Sequence, residues 1–380
     1  MNSVPAMKKI LPGSKIGILG SGQLGRMMTV AAKQMGYRVH VFSSAADSPT
    51  GQLADMEVVG QLDDLDAISR FAQGVDVMTV ETENIPVDTL ATAAEFCPAF
   101  PGKDALRVCQ NRNFEKQFLR ENGIPTCDFQ TVHSVEELKA ACERLMPSIL
   151  KTTQGGYDGK GQAVIRSTED VESAWSEMKG GEAILEQMID FDFEFSIVGA
   201  RSSTGEVTAY PSIRNEHSGG ILDISTSPSG LSEEAEAEGR EIVFKIMNEL
   251  NSVGVLTVEF FYRRGDVLVN EIAPRPHNSG HATIEGNWTS QFEQHIRAVC
   301  GISLGAVDLI CTVAMANVMG DIWNDGTPDW AEMLNDPRTK LHLYGKEAAK
   351  IGRKMGHLTA VADTVEQARN LVVEARKRMK

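Results

Sequence analysis

Residues 258–281 read VEFFYRRGDVLVNEIAPRPHNSGH. Two runs rich in β-branched and aromatic residues flank Arg264, Gly265 and Asp266, a pattern that predicts a β-hairpin. Glu259 and Glu271 stand six residues either side of Gly265. In a simple hairpin they face each other, or nearly so if a bulge shifts the register. Two carboxylates so placed repel unless a cation lies between them, and hard oxygen ligands favour Mg²⁺, with substrate phosphates completing its shell. Two glutamates on a solvated face are the alternative, but the neighbouring VLTV and VLVN read as buried.

A second segment, KTTQGGYDGKGQ at residues 151–162, follows the strand SILK and returns directly as the strand QAVIR. Gly155, Gly156, Gly159 and Gly161 remove side-chain bulk and let backbone N–H groups converge, while Lys151 and Lys160 bring positive charge. This predicts a flexible anion-binding flap between two strands. It is not a Walker loop, because no GxxxxGK[ST] precedes a helix. A plain hairpin would not call for this set of glycines and lysines with Tyr157 and Asp158 between them.

From residue 15 to about 97 the chain alternates β-branched runs with helical periodicity, as in KIGIL, LGRMMTVAAKQM and YRVHVF, which predicts a parallel sheet covered by helices. Gly20, Gly22 and Gly25 have the spacing of a dinucleotide-binding turn. A nicotinamide site also needs an acid at the end of the second strand, and Ser43 and Ser44 stand there instead. Two readings remain: helix N-terminal N–H groups that bind another anion such as a sugar phosphate, or a turn that only lets helix and strand pack closely. Beyond residue 101 helices are expected near 113–121 and 135–145, the second opened by a capping box of Ser134 and Glu137. Strands then dominate 148–272, with helices near 168–179 and 233–250. A helix near 289–300 and a strand-rich tail follow.

The chain has 380 residues with 37 basic and 52 acidic side chains, a formal net charge of −15, which argues against nucleic-acid binding. The longest apolar uncharged run, residues 309–320, falls well short of the ~20 residues that cross a bilayer. The N-terminal segment lacks the apolar core of a secretory leader, so a cytoplasmic protein without a membrane partner is expected. Six scattered cysteines without a CxxC pair fit reduced thiols better than a disulfide frame or a zinc site.

The flap, the acidic strand pair ending in NEIAPRPHNSGH and the opening GSGQLGRM together resemble the ATP-grasp ligases. Within them they resemble the ATP-dependent carboxyaminoimidazole ribonucleotide synthetases of purine biosynthesis. The likeness takes in ETENIP (81–86), IEGNWTSQFEQH (284–295) and HLYGKEAAKIGRKMGH (342–357). It implies an α/β chain with an ATP-grasp fold: an N-terminal Rossmann-like domain of parallel sheet over residues 1–111, an α+β ATP-grasp domain over 112–305 with a flap subdomain at about 125–190, and a small strand-rich C-terminal domain over 306–380.

The resemblance also implies roles. ATP and Mg²⁺ are the expected cofactors, without biotin. Arg112 and Lys151 would meet the ATP phosphates, and Gly156, Tyr157, Asp158, Gly159, Lys160, Gly161 and Gln162 would fold over them. Glu186, Gln187, Met188 and Ile189 would follow the adenine, Glu194 would accept from the ribose hydroxyls, and His217 and Asn270 would be further nucleotide contacts. Glu259 and Glu271 would hold the metal, and Lys151 and Lys160 would help spread the charge of the transferred phosphoryl group. Gln23, Leu24, Glu83, Asn84, Arg275, His277, Asn278 and Ser279 would contact the aminoimidazole ribonucleotide, with Lys346, Arg353 and Lys354 gripping its phosphate. Tyr157 and Asp158 would orient the imidazole amine or relay its proton; Arg275 joins them, Lys151 and Lys160 as the catalytic set. A homodimer is what the family suggests.

The chain departs from the family pattern at Thr153, where a basic residue is common, at Ala282, where an aromatic follows NSGH, and at Lys350 and Ile351, which replace Arg-Pro. No fused carboxymutase domain is expected after the tail motif. Two rival activities share parts of this sequence logic: a formate-using glycinamide ribonucleotide transformylase, and a nicotinamide-dependent dehydrogenase built on the first glycine turn.

Overall fold

The computed structural model describes residues 9–156, 161–178 and 181–379. Its first sheet is five-stranded and wholly parallel, in the order Met56–Val59, Arg38–Ser43, Lys15–Leu19, Val77–Val80, Ala99–Phe100. The inner strands are apolar on both faces because helices cover both, so Ile16, Ile18, Val39, Val41 and Val77 are buried throughout. The helix Gln23–Gln34 packs one face of this sheet through Leu24, Met27, Met28 and Ala31.

The second sheet is nine-stranded. The hairpin strand Asp266–Ala273 forms one edge, beside Gly254–Arg263, Phe193–Arg201, Ile213–Ser218 and Ile221–Ser227. Chain-terminal strands Thr312–Met319, Lys354–Ala362 and Thr339–Leu343 continue this same sheet through antiparallel pairing of Thr312–Met319 with Ile221–Ser227. Helix Glu233–Glu249 covers the sheet with Val243, Ile246 and Met247 against Phe195, Ile197 and Leu256. A third sheet of four strands, Phe129–Val132, Ala183–Gln187, Ser148–Thr152 and Gln162–Ile165, carries the glycine flap between its last two members.

The first and second sheets meet across the helix Gln291–Val299, whose Phe292, Ile296 and Val299 join the core of the first sheet. His295 on this helix is fully buried and bridges both sheets: its Nε2 lies 2.7 Å from Thr79 Oγ1, and its Nδ1 accepts from the Val255 N–H at 3.0 Å. Accepting at Nδ1 leaves the proton on Nε2, so the neutral ring satisfies both bonds. Burial pulls its pKa down to about 3, in keeping with that tautomer.

Local expectations differ from the structure at several points. Ser134 caps its helix by accepting from the Glu137 N–H at 3.2 Å, but the Glu137 carboxylate turns to the His133 N–H at 2.8 Å, so the capping box is only half made. The run expected as one strand near 207–213 breaks at Tyr210, whose ring is buried and whose hydroxyl donates to Thr289 O. The C-terminal tail ends in a helix, Val365–Lys377, where strands were expected. Its apolar face packs against the sheet core through Ala368, Val372 and Ala375. Arg369 grips Glu216 with two bonds of 2.7 Å and Arg376 pairs with Asp223. An unanticipated helix, Lys103–Cys109, precedes Arg112–Glu121. All six cysteines are free thiols.

Candidate active site

The three sheets enclose a cavity of about 730 Å³. Gln23, Leu24, Glu83 and Asn84 line it from the first sheet, Arg112, Lys151 and Gln162 from the flap side, and Glu194, His217, Glu259, Asn270 and Glu271 from the central sheet. Arg275, His277 and Asn278 come from the segment after the hairpin, and Lys346, Arg353 and Lys354 from the C-terminal loop. Gly156 lies in a small adjoining recess with Glu115 and Cys109. Gly161, Glu186, Gln187, Met188, Ile189 and Ser279 are not part of the cavity wall. Ser279 is instead buried, accepting from Ser196 Oγ at 2.7 Å and lying 2.9 Å from His277 Nδ1. Tyr157, Asp158, Gly159 and Lys160 lie outside the described residues.

The hairpin brings its two acids together by a route the spacing alone did not show. The turn is the two residues Arg264 and Gly265, with φ of 51° and 102°, and Arg263 pairs with Asp266 rather than with Val267. Uninterrupted, that register would set Glu259 opposite Asn270. A bulge inserts Asn270 as an extra residue and places Glu271 opposite Glu259. Burial, and next the neighbouring Glu271, push the Glu259 carboxyl up. His277 Nε2 lies 3.5 Å from Glu259 Oε1, and burial followed by Arg275 holds this imidazole well below its ordinary pKa, hence neutral. Among the described residues no third acid, histidine or cysteine completes a metal cluster with these two. A pair of oxygen donors with open positions suits Mg²⁺, which keeps water and phosphate in its shell.

Lys151, in the strand Ser148–Thr152, makes a 2.6 Å ion pair with Glu186 Oε2. Burial alone would push the Glu186 carboxyl up, but Lys116 and Lys151 outweigh it and hold the pKa at about 2. The second oxygen, Oε1, is buried without a partner among the described residues. Arg112 opens the helix Arg112–Glu121, which Asn111 caps, and its guanidinium donates to Thr152 O at 2.9 Å and Gly156 O at 2.6 Å. Thus Arg112 holds the root of the flap. Thr153 takes part through its backbone, its carbonyl accepting from the Arg112 N–H at 2.9 Å.

On the opposite wall Arg275 binds Glu83 with both Nε and Nη2, the latter at 2.8 Å. His217 Nδ1 meets Glu194 Oε2 at 2.6 Å. Burial works against the imidazolium here, but the Glu194 hydrogen bond and charge prevail and the His217 pKa is raised. Asn278, at the cavity wall, has both amide atoms buried without a partner among the described residues. In the C-terminal loop Lys346 Nζ donates to Lys354 O at 2.6 Å and lies 5.4 Å from the Tyr344 ring centre, and Arg353 donates to Ala348 O at 2.9 Å. Ala282 is buried, whereas Ile351 is 79% exposed at the cavity rim.

Gly22, Gln23 and Leu24 of the first glycine turn line the cavity. Glu81, which follows the strand Val77–Val80, packs against this turn. A Cβ on Gly20 would lie 2.6 Å from Glu81 Cγ, and one on Gly22 would lie 3.0 Å from its carboxylate oxygens. The glycines therefore make room for an internal acid at the helix N-terminus. Sequence reasoning missed Glu81, although it opens the ETENIP motif. It also missed Glu115 and Lys116, which nothing in the local pattern marks as buried.

Comparison with known proteins agrees with this architecture. Residues 117–292 match the ATP-grasp domain, 13–110 the ribonucleotide synthetase preATP-grasp domain, and 313–371 the phosphoribosylaminoimidazole carboxylase C-terminal domain. The N5-carboxyaminoimidazole ribonucleotide synthase of Bacillus subtilis (strain 168) is 43% identical over 92% of this chain and 92% of its own length. The chain belongs to the N5-carboxyaminoimidazole ribonucleotide synthase family. A solved family member, an ADP complex of N5-carboxyaminoimidazole ribonucleotide synthetase, superposes with a TM-score of 0.92 at 41% identity, covering 97% of this chain and 98% of that one. The Aspergillus clavatus synthase in complex with ADP and 5-aminoimidazole ribonucleotide superposes with a TM-score of 0.88 at 28% identity, covering 97% of this chain and all of that one at 100%.

Proposed function

We propose that the cavity carries out the ATP- and bicarbonate-dependent carboxylation of 5-aminoimidazole ribonucleotide to its N5-carboxy product, a ligase step of purine biosynthesis. The observation that carries this reading is the convergence on one cavity of Lys151 and Arg112 beside the flap, the paired acids Glu259 and Glu271, and the cluster Arg275, Asn278, Lys346, Arg353 and Lys354. One side suits a nucleoside triphosphate and the other a phosphorylated, polar heterocycle.

Bicarbonate is a poor electrophile, so transfer of the γ-phosphoryl group to it precedes attack by the exocyclic amine of the substrate. Mg²⁺ held by Glu259 and Glu271 would neutralise charge on the transferred group. Lys151 supplies a fixed positive charge on the same group, and Lys160 a second one as the flap closes. Arg112, tied to the flap root, couples closure to phosphate contact and keeps water from the activated carbonate. Glu194 and His217 form a polar platform for the nucleotide ribose, and Asn270 a further contact, with Glu186 to Ile189 following the base. On the ribonucleotide side Gln23, Leu24, Glu83, Asn84, His277 and Asn278 fix the sugar and imidazole, with Ser279 holding the His277 ring. Arg275, locked by Glu83, points a rigid cation at the carboxylating centre. Tyr157 and Asp158 would orient the amine and accept its proton. The same reading includes a cytoplasmic homodimer with small-molecule partners only; no helix among the described residues is long and apolar enough to cross a membrane.

The test is ADP release with aminoimidazole ribonucleotide present or absent, in bicarbonate-replete and bicarbonate-depleted buffer, and with formate in its place. Turnover that needs both the ribonucleotide and bicarbonate is expected. Turnover with formate alone as carbon donor would move the assignment to a transformylase, and tight NADH binding without ATP binding to a dehydrogenase.

A further inference from the structure

The bulge that sets Glu271 opposite Glu259 lies on an edge strand, Asp266–Ala273, whose outer rim faces no other strand of its sheet over most of its length. An edge strand leaves half its backbone groups without ladder partners, and a bulge disrupts the ladder further. Here two consecutive residues of the helix Arg112–Glu121 supply those partners. Lys116 Nζ donates to Asn270 O at 2.7 Å, and Glu115 Oε2 accepts from the Ile272 N–H at 2.9 Å. The two bonds flank Glu271 on either side. Thr126 reinforces them: its hydroxyl donates to Val269 O at 2.7 Å and accepts from Lys116 Nζ at 3.1 Å, while Pro125 O accepts from the Val269 N–H at 2.8 Å.

Both side chains are almost wholly buried, Glu115 at 3% and Lys116 at 1% exposure. Burying a lysine and a glutamate costs several kcal/mol unless each meets good partners. An apolar pair would cover the same helix face at less cost, yet would leave the Asn270 carbonyl and the Ile272 N–H unsatisfied. We infer that Glu115 and Lys116 are positioning residues for the metal site: they clasp the backbone on both sides of Glu271 and hold the bulged register in which the two acids face each other. The inference rests on the proposed metal role of Glu259 and Glu271. The clasp belongs to the helix that Arg112 opens, so one rigid element sets both the flap root and the metal acid.

The experiment reads metal binding directly, by electron paramagnetic resonance titration of Mn²⁺ into the full chain with saturating ADP, alongside circular dichroism to establish folding. Glu115→Leu and Lys116→Met should weaken Mn²⁺ binding by about 10–100-fold, the range for losing a group that orients a metal ligand. Glu115→Gln keeps an oxygen acceptor for the Ile272 N–H and should stay within about threefold of the parent, a rescue that simple loss of packing does not give. Thr126→Val removes one partner of Lys116 without stranding a charge, and covers the case in which Lys116→Met does not fold; it should weaken Mn²⁺ in the same direction by a smaller factor. The KM for the ribonucleotide should be unchanged in all of them. If folded Glu115→Leu and Thr126→Val bind Mn²⁺ like the parent while Glu271→Gln does not, the clasp is refuted and the metal site stands. If Glu271→Gln itself binds Mn²⁺ normally, the metal reading fails first, and the clasp with it.

Discussion

Glu186 sits between two lysines with almost no access to water, and replacing it by glutamine tests whether this ionic layer under the cavity is organised as described. The carboxyl is held at about 2 against an ordinary 4.5, a difference worth about 3 kcal/mol of folding free energy. The sign follows from the direction: a depressed carboxyl contributes fully above 4.5, and its contribution is lost as the pH falls through 4.5 toward 2. Breaking a buried pair from one side costs a similar ~3–5 kcal/mol, because Lys151 loses its acceptor and Lys116 a neighbouring countercharge while both stay charged. Glu186→Gln changes hardly any volume, so packing adds little. Urea unfolding at pH 7 should therefore show a loss of about 3 kcal/mol, shrinking as the buffer is taken below pH 4.5. Lys151 also loses the acceptor that fixes its ammonium, so the KM for ATP should rise together with the instability. A stability loss below about 1 kcal/mol at pH 7, or one that does not shrink in acid, would show that Glu186 does not carry the lysine charges.

Two further outcomes follow from the same geometry. In an NMR titration His217 should ionise above the ordinary histidine value of 6.5, and in Glu194→Gln its midpoint should drop, because burial is then opposed by Glu259 alone; an unchanged midpoint would separate the two residues. Gly20→Ala must place a side chain at a φ of +88° and within 2.6 Å of Glu81 Cγ, so it should cost at least about 2 kcal/mol in denaturant unfolding, and a cost under about 0.5 kcal/mol would mean Glu81 is free to move away.

Much of this protein was legible before any fold was seen, and the reasons are local. The parallel first sheet follows from buried β-branched runs alternating with amphipathic helices. The strand pair around residues 151–162 follows from a glycine-rich turn set between two strand patterns, and the acid pair from placement six residues either side of Gly265. Those features depend on backbone permissiveness and short-range periodicity, which a sequence carries on its face. The strand-rich tail misled for a related reason. Helix Val365–Lys377 has strong charge and a narrow apolar stripe, and its stability comes from packing on the extended sheet and from Arg369 and Arg376 gripping acids 153 residues away.

What the sequence determined by itself is the inventory: which chemical groups are present, and on which kind of element each one rides. Only the tertiary structure decided how they are held. It packed Glu81 against Gly20 and Gly22, turned Arg112 to the flap root, and added the bulge at Asn270 that brings Glu271 level with Glu259. It buried Glu115 and Lys116, which nothing in the local sequence marks as buried. The physical reason is that each of these outcomes is a choice of partner among groups far apart along the chain. Such a choice is settled by burial, which makes every unsatisfied polar group expensive, and burial is a property of the assembled fold.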